Sequence, residues 1–147
     1  MTTMSSDLLV PTENHYLTRG PSSYNGELAL AEVLDRLRWR YYYERWTYHF
    51  YGRGFTPDFN LEARGRRPAI NVELTWADQG LNTERHDDCV AILGRKAWKA
   101  HTTRELYGIR TVLVTFRDWL KIMGNSAYLY SLIDQELARK YEIGVST

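Results

Sequence analysis

The fold is decided by residues 55–76, FTPDFNLEARGRRPAINVELTW. Two runs of strand-forming residues, 55–62 and 69–76, flank a short basic segment. This segment contains a glycine and ends in a proline, which is typical of a turn. The pattern predicts an antiparallel hairpin whose turn is centred between Gly65 and Arg66.

Two carboxylates meet in this predicted hairpin. Residues whose numbers sum to 131 lie opposite each other, and Asp58 and Glu73 are such a pair. Directly opposed residues point to the same face, with Cβ atoms about 4.5–5.5 Å apart. Two anions at that distance repel each other unless a cation lies between them, and oxygen-only ligation suits Mg²⁺. The register therefore predicts a metal site. The alternative is a solvent-facing pair on a hairpin of uncertain register, because a slip of one residue would place the two side chains on opposite faces.

The rest of the chain predicts an α/β fold around this hairpin. Leu30, Val33 and Leu34 recur at helical spacing after Asn25, a favourable N-cap residue. A hairpin followed by a helical crossover into another strand implies a mixed central sheet of about four strands flanked by helices. The predicted elements are a helix over 26–38, strands over 41–51, 55–62 and 69–76, a helix over 82–107 capped by Asn82 or Thr83, a strand over 110–116 and a helix over 126–140.

Length and composition limit the class of protein. The 147 residues are 44% hydrophobic and 25% charged, which is typical of a globular domain and excludes a disordered chain. We expect residues 1–24 to form a partly disordered N-terminal arm and residues 25–147 to form one domain. The sequence contains no apolar run of membrane-spanning length and no secretory signal, so we expect a cytoplasmic protein without a membrane partner.

Cysteine and arginine usage add two expectations. The single cysteine, Cys89, lies in an apolar run, so we expect it to pack as a small hydrophobic residue. The net charge is only +1, but the segment 36–67 holds eight arginines against three acidic residues, with aromatic residues interleaved. Such a segment fits either a phosphate-binding surface or a solvated basic face.

Two short motifs resemble a known family. Thr56-Pro57-Asp58-Phe59 and Asn71-Val72-Glu73-Leu74-Thr75 resemble the PD-(D/E)XK nuclease superfamily, and most closely its small bacterial or phage proteins with a Glu-Leu-Thr third motif. The resemblance covers residues 26–116. It implies a restriction-endonuclease-like core and hydrolysis of DNA phosphodiester bonds. It further implies a Mg²⁺ cofactor that Mn²⁺ can replace, and no organic cofactor.

The resemblance also assigns roles to the acidic residues. The carboxylates of Asp58 and Glu73 and the carbonyl of Leu74 would hold the metal. The superfamily uses a further glutamate from the first helix, for which Glu27 and Glu32 are the candidates. Helical projection places Glu27 towards the sheet and Glu32 nearly opposite. A carboxylate in the first turn is also favoured by the helix dipole without any catalytic role.

The catalytic lysine is expected outside the third motif. The superfamily places a lysine two residues after the glutamate, and this chain has Thr75 there. In the Glu-Leu-Thr proteins a lysine of the next helix is thought to substitute, and Lys96 falls at that place, with Lys99 as the alternative. We expect Lys96 near the edge of an apolar helix face, and this face would comprise Val90, Leu93, Ala97 and Ala100.

Two functions follow from this pattern. The first is a DNA endonuclease, with Arg64, Arg66, Arg67 and Lys99 contacting DNA and a homodimer supplying the second site that double-strand cleavage needs. The second is a catalytically inactive protein of the nuclease fold that acts in nucleic-acid binding or assembly. Thr75 favours this second function.

Overall fold

The computed structural model describes residues 9–14, 20–23 and 25–140. Over these ranges the chain is an α/β protein with a mixed four-stranded sheet and four α-helices. The helices are α1 (Glu27–Arg36), α2 (His86–Tyr107), α3 (Phe116–Gly124) and α4 (Tyr128–Ala138), with a 3₁₀ helix at Ala77–Gly80. The strands are β1 (Thr12–Glu13), β2 (Tyr41–Tyr43), β3 (Trp46–Phe50), β4 (Arg53–Phe55), β5 (Phe59–Leu61), β6 (Ile70–Thr75) and β7 (Thr111–Thr115).

The central hairpin is formed by β5 and β6 and has the predicted register. Phe59 pairs with Val72 and Leu61 pairs with Ile70, so the paired numbers sum to 131. The hairpin bends at Gly65, whose φ of +59° lies in the left-handed region that glycine adopts without strain. The prediction of the turn and of its register is confirmed.

The main sheet has the order β2-β5-β6-β7. Its first three strands are antiparallel, and β7 runs parallel to β6 after the crossover through α2. The predicted mixed sheet of four strands is therefore confirmed. A continuous core lies between this sheet and helices α1, α3 and α4, and its fully buried side chains include Leu30, Phe59, Val72 and Ile133.

The prediction of one aromatic strand over 41–51 is wrong. Glu44 has a φ of +49°, and this conformation ends β2 and redirects the chain into β3. The backbone N–H of Arg45 then donates to Asn60 Oδ1 at 3.0 Å, which holds the bend against β5. Strand β3 belongs to a second sheet of order β1-β3-β4 that the sequence analysis did not predict.

Several predicted boundaries are also corrected. Residue Phe55 ends β4 instead of starting the hairpin strand, which begins only after Pro57. The second helix starts at His86, because the chain first makes the 3₁₀ helix and two turns, so neither Asn82 nor Thr83 caps it. Gly26 is the N-cap of α1 instead of Asn25. Helix α3 was missed, although Thr115 and Asp118 form a capping box at its start.

The predicted inner face of α2 is confirmed at Ala100 and wrong at Val90 and Ala97. Val90 is 48% exposed and Ala97 is exposed as well, whereas Cys89, Ala100 and Thr103 are buried. The apolar pattern gave the wrong face because the inner side of this helix also carries the polar residues Lys96 and Thr103, both of which form hydrogen bonds. The prediction that Cys89 packs as a small buried residue is confirmed.

The expected N-terminal arm lies largely outside the described residues. Its described part includes Thr12, which pairs with Thr47 of β3. The end of the predicted domain, residues 141–147, also lies outside the described ranges. Among the described helices, none combines the length and the apolar composition that a membrane-spanning helix needs.

Candidate functional site

Charged side chains from four separate segments converge beside the hairpin. Glu27 lies in the first turn of α1, Asp58 directly before β5, Glu73 within β6 and Lys96 in the middle of α2. We call these four residues the carboxylate site. The fold thus brings together all four residues that were proposed as catalytic, although they span 70 positions of the chain.

The two hairpin carboxylates lie side by side, as the register requires. The backbone N–H of Asp58 donates to Glu73 Oε1 at 3.1 Å. In return, Asp58 Oδ2 accepts a hydrogen bond from the Leu74 backbone N–H at 2.8 Å. This reciprocal pair fixes both carboxylates against the main chain of the neighbouring strand.

Lys96 reaches this pair from α2. Its Nζ lies 2.5 Å from Glu73 Oε2 and donates to the Leu74 carbonyl at 3.5 Å. Lys96 therefore contacts two of the three groups proposed to hold the metal. Lys99 lies almost one helical turn further along α2, and its backbone carbonyl accepts a hydrogen bond from the Thr103 hydroxyl.

The structure distinguishes between the two glutamates of α1. Glu27 is only 3% exposed, whereas Glu32 is exposed to solvent. The Tyr43 hydroxyl donates to Glu27 Oε1 at 2.6 Å, and the Ser22 N–H donates to the same oxygen at 3.1 Å. Glu27 is thus the glutamate of α1 at this site.

A glycine makes the approach of α1 possible. Gly26 has a φ of +80°, and a Cβ there would lie 2.9 Å from both Trp76 Cζ2 and Trp119 Nε1. The Gly26 carbonyl also accepts a hydrogen bond from the Trp119 indole at 3.2 Å. Any side chain at this position would push the start of α1, and Glu27 with it, away from the hairpin.

Glu44 is a site residue that sequence reasoning missed. Glu27, Glu44 and Asp58 each offer a carboxylate oxygen, and these three oxygens lie within 4.8 Å of one another. Glu44 points here because its positive φ interrupts the aromatic run. No periodicity in the sequence indicates a positive φ at Glu44, so the pattern favoured an uninterrupted strand. An all-carboxylate oxygen set is one that Mg²⁺ or Mn²⁺ accepts.

Electrostatics at the carboxylate site are unfavourable without a cation. Burial and the adjacent Glu73 carboxylate raise the pKa of Asp58 to about 8, with Glu27 adding to the rise, although the Leu74 N–H partly opposes it. With Glu44 included, the site holds four carboxyl groups, and Lys96 brings one ammonium to it through its contact with Glu73. A divalent cation would neutralise this excess of negative charge.

Solvent reaches the carboxylate site through a cavity of about 230 Å³. Asp58, Glu73 and Lys96 line it together with Asn25 and Trp76. The charged groups are therefore accessible from solvent.

The arginines proposed for DNA binding lie at the opposite end of the hairpin. The Arg67 guanidinium forms two hydrogen bonds with Asp134, at 2.8 and 2.9 Å. Arg64 donates to the Leu37 carbonyl and lies over the Trp39 ring, 5.5 Å from its centroid. Of these three arginines, Arg64 and Arg67 are half-buried and Arg66, at the tip of the turn, is exposed. Their contact with DNA stays a prediction. Because Arg64 and Arg67 make internal contacts, a substitution of Arg66 tests DNA binding most directly.

No protein-family model, curated protein or solved structure matches this chain.

Proposed function

We propose that this chain is a Mg²⁺-dependent DNA endonuclease with a restriction-endonuclease-like core. The observation that carries this proposal is the contact of Lys96 Nζ with Glu73 Oε2 at 2.5 Å, beside Asp58. A lysine next to paired carboxylates is the set of groups that metal-assisted phosphodiester hydrolysis needs.

The arrangement of elements supports the proposal. Helix α1, the antiparallel strands β2, β5 and β6, the crossover helix α2 and the parallel strand β7 occur in this order, with β3 and β4 of the second sheet inserted between β2 and β5. This order resembles the core of the PD-(D/E)XK superfamily. The acidic residues lie on the first helix and the hairpin of this unit, as in that superfamily.

The residues suggest a division of labour. Asp58, Glu73 and the Leu74 carbonyl would hold the metal, with Glu27 and Glu44 as further carboxylates beside Asp58. A bound Mg²⁺ supplies Lewis-acid activation of the phosphate and a bound water of lowered pKa. In hydrolysis a water oxygen bonds to phosphorus and one bridging P–O bond breaks. The Lys96 ammonium is placed to neutralise charge that develops on the phosphate.

DNA binding and assembly belong to the same proposal. Arg66, Lys99 and the other two arginines of the turn would contact the phosphate backbone. The four catalytic residues form one carboxylate site per chain, so cutting both strands requires either two nicks in succession or a homodimer.

The second candidate is a nuclease-fold protein that binds nucleic acid without cutting it. Thr75 favours it, because this buried threonine stands where the superfamily has a lysine, and its Oγ1 accepts a hydrogen bond from the Ala77 N–H at 3.3 Å. The position of Lys96 favours the active enzyme, because its ammonium reaches the same glutamate from α2.

Nicking of supercoiled plasmid by the purified chain tests the proposal. We expect nicking with Mg²⁺ or Mn²⁺, none with EDTA, and a loss of at least 100-fold in Asp58→Asn. Glu27→Gln should also lose activity, whereas Glu32→Gln, on the exposed side of the same helix, is the matched control. Nicking that survives in Asp58→Asn would refute the proposal, and metal-independent binding without nicking would favour the second candidate.

A further inference from the structure

A second depression adjoins the carboxylate site. It has a volume of about 640 Å³ and lies between the 3₁₀ helix and the first turns of α2. Leu74, Trp76 and Lys96 line both this depression and the smaller cavity. The two spaces therefore adjoin each other at these three residues, and we call the larger one the Trp76 groove.

Aromatic contacts hold the Trp76 wall in place. The half-buried Trp76 ring meets Phe116 edge-on at a centroid distance of 5.4 Å and Trp119 at 5.6 Å. The ring also lies close to Gly26, where a Cβ would come within 2.9 Å of Trp76 Cζ2. Packing on several sides fixes the indole, so little side-chain entropy remains to be lost when a ligand contacts it.

The 3₁₀ helix that borders the groove is equally well anchored. Both carboxylate oxygens of Asp78 accept backbone N–H groups at the start of α3, from Phe116 at 2.9 Å and Arg117 at 3.1 Å. At its other end, Gly80 packs so closely on Cys89 that a Cβ would lie 2.4 Å from the Cys89 sulfur. The Trp76 groove is thus preformed.

We infer that the Trp76 groove binds an unpaired nucleotide adjoining the scissile phosphate, so that the preferred substrate is single-stranded or locally unpaired DNA. The inference rests on the proposed function. A phosphodiester at the carboxylate site has a nucleotide on each side, and the shared lining of Leu74, Trp76 and Lys96 puts the groove next to one of them.

The chemistry of the groove fits this ligand. Its wall and floor offer an indole and the apolar side chains of Leu74, Cys89 and Ile92, which suit the flat face of a base. Arg85 and Lys96 place two cations along it against the one carboxylate of Glu84. In an intact duplex both faces of each base are covered by stacking, so an aromatic side chain can stack only on an unpaired base.

Binding by the uncleaving Asp58→Asn protein tests the inference separately from catalysis. Fluorescence anisotropy would compare a labelled single strand, its perfect duplex and the duplex with a short unpaired flap, in the Asp58→Asn background throughout. We expect Trp76→Ala to weaken binding of the single strand and the flap by about 10-fold or more, the scale of one lost base-stacking contact. Trp76→Phe should stay within about threefold, and duplex binding should change little.

Two further variants separate stacking from folding. Trp98→Ala removes a 41% exposed tryptophan elsewhere on α2 and should leave all three affinities unchanged. Ile92→Phe leaves Trp76 intact but narrows the groove, so it should weaken single-strand binding. It therefore still tests the groove if Trp76→Ala fails to fold. Unchanged single-strand binding in folded Ile92→Phe and in folded Trp76→Ala overturns the inference.

The inference and the proposed function fail in different ways. Trp76-dependent binding of the single strand without metal-dependent cleavage by the parent chain would retain the groove and refute the nuclease. Metal-dependent cleavage that is as fast on perfect duplex as on the flap, and is insensitive to Trp76→Ala and Ile92→Phe, would retain the nuclease and refute the groove.

Discussion

The two ends of the β5–β6 hairpin use charge in opposite ways. At the turn, Arg67 is paired with the Asp134 carboxylate and Arg64 with a main-chain carbonyl. At the other end, Asp58 and Glu73 are held together although both are acidic, and two more glutamates lie close to Asp58. One hairpin thus carries satisfied charges at one end and opposed like charges at the other.

This difference separates structural from functional charge. The pairs at the turn join the hairpin to α4 and to the end of α1, and their removal should affect mainly stability. The carboxylate end is fixed by hydrogen bonds between Asp58, Glu73 and Leu74, which maintain an arrangement that the charges alone disfavour. Sites that hold unfavourable charge in place are commonly binding or catalytic sites.

The largest expected effect is on the cleavage rate of Lys96→Met. Methionine keeps most of the apolar stem and removes the ammonium that contacts Glu73 Oε2. We expect a fall in single-turnover cleavage rate of two orders of magnitude or more, with affinity for duplex DNA nearly unchanged, because one positioned electrostatic donor is lost. Quench-flow or gel assays at saturating enzyme measure the rate.

Lys99→Met is the matched control on the same helix. It should weaken DNA binding and leave the single-turnover rate close to that of the parent. The reverse result would identify Lys99 as the catalytic lysine, and full activity in both variants would contradict the assignment of a lysine from α2.

The next effect is on the pH dependence of stability without metal. Asp58 ionises near pH 4 in an unfolded chain and near pH 8 in the folded one, so the folded state binds the extra proton between these values. The protonated Asp58 therefore adds to the free energy of unfolding at low pH. This contribution is lost as the pH rises through the folded-state pKa of about 8. In EDTA we expect the melting temperature to fall by about 5 °C or more between pH 5.5 and 8.5.

Asp58→Asn should flatten this pH dependence. Its amide oxygen can still accept the Leu74 N–H, so at pH 8.5 the variant should be at least as stable as the parent. Asp58→Ala is the contrasting variant, because it leaves that N–H unsatisfied and should be less stable than Asn at every pH. An unchanged slope in Asp58→Asn would show that another group carries the pH dependence.

The sequence predicts the carboxylate end of the hairpin better than it predicts its surroundings. The turn at Gly65 fixes the register, and the register alone brings Asp58 beside Glu73. The helix period likewise separates Glu27 from Glu32, because Leu30, Val33 and Leu34 mark the buried face of α1. Local patterns suffice where the partner residues lie on one hairpin or one helix face.

Other features depend on contacts that no local pattern encodes. Glu44 joins the site through a left-handed backbone conformation within an aromatic run, where strand propensity favours continuation. The inner face of α2 was misplaced because it carries two polar residues. The Lys96 ammonium meets Glu73 only in the folded structure, and the Thr103 hydroxyl donates to the Lys99 carbonyl within the helix. The roles of Arg64 and Arg67 could not be predicted because their partners come from distant segments.

A smaller effect is expected at the turn, where charge serves structure. Arg67→Gln removes the two hydrogen bonds to Asp134, whose side chain is 53% exposed, so solvent screens much of the interaction. We expect a loss of about 1 kcal/mol or less in the free energy of unfolding. A double-mutant cycle with Asp134→Asn measures the coupling, and a coupling near zero would contradict a stabilising role for this pair.

The smallest effect is expected from Arg66→Gln at the tip of the turn. Arg66 is exposed and its neighbours hold the turn through reciprocal backbone hydrogen bonds between Arg64 and Arg67, at 2.8 and 2.9 Å, so the melting temperature should not change. If Arg66 contacts one phosphate, the log–log slope of DNA affinity against salt concentration should decrease by about 0.9. Removing all three arginines at once would also disturb the pair with Asp134, so the single change isolates DNA binding from folding. Salt titrations of duplex binding measure the slope. An unchanged slope would show that the tip of the turn is not part of the DNA-binding surface. This end of the hairpin would then have a structural role alone.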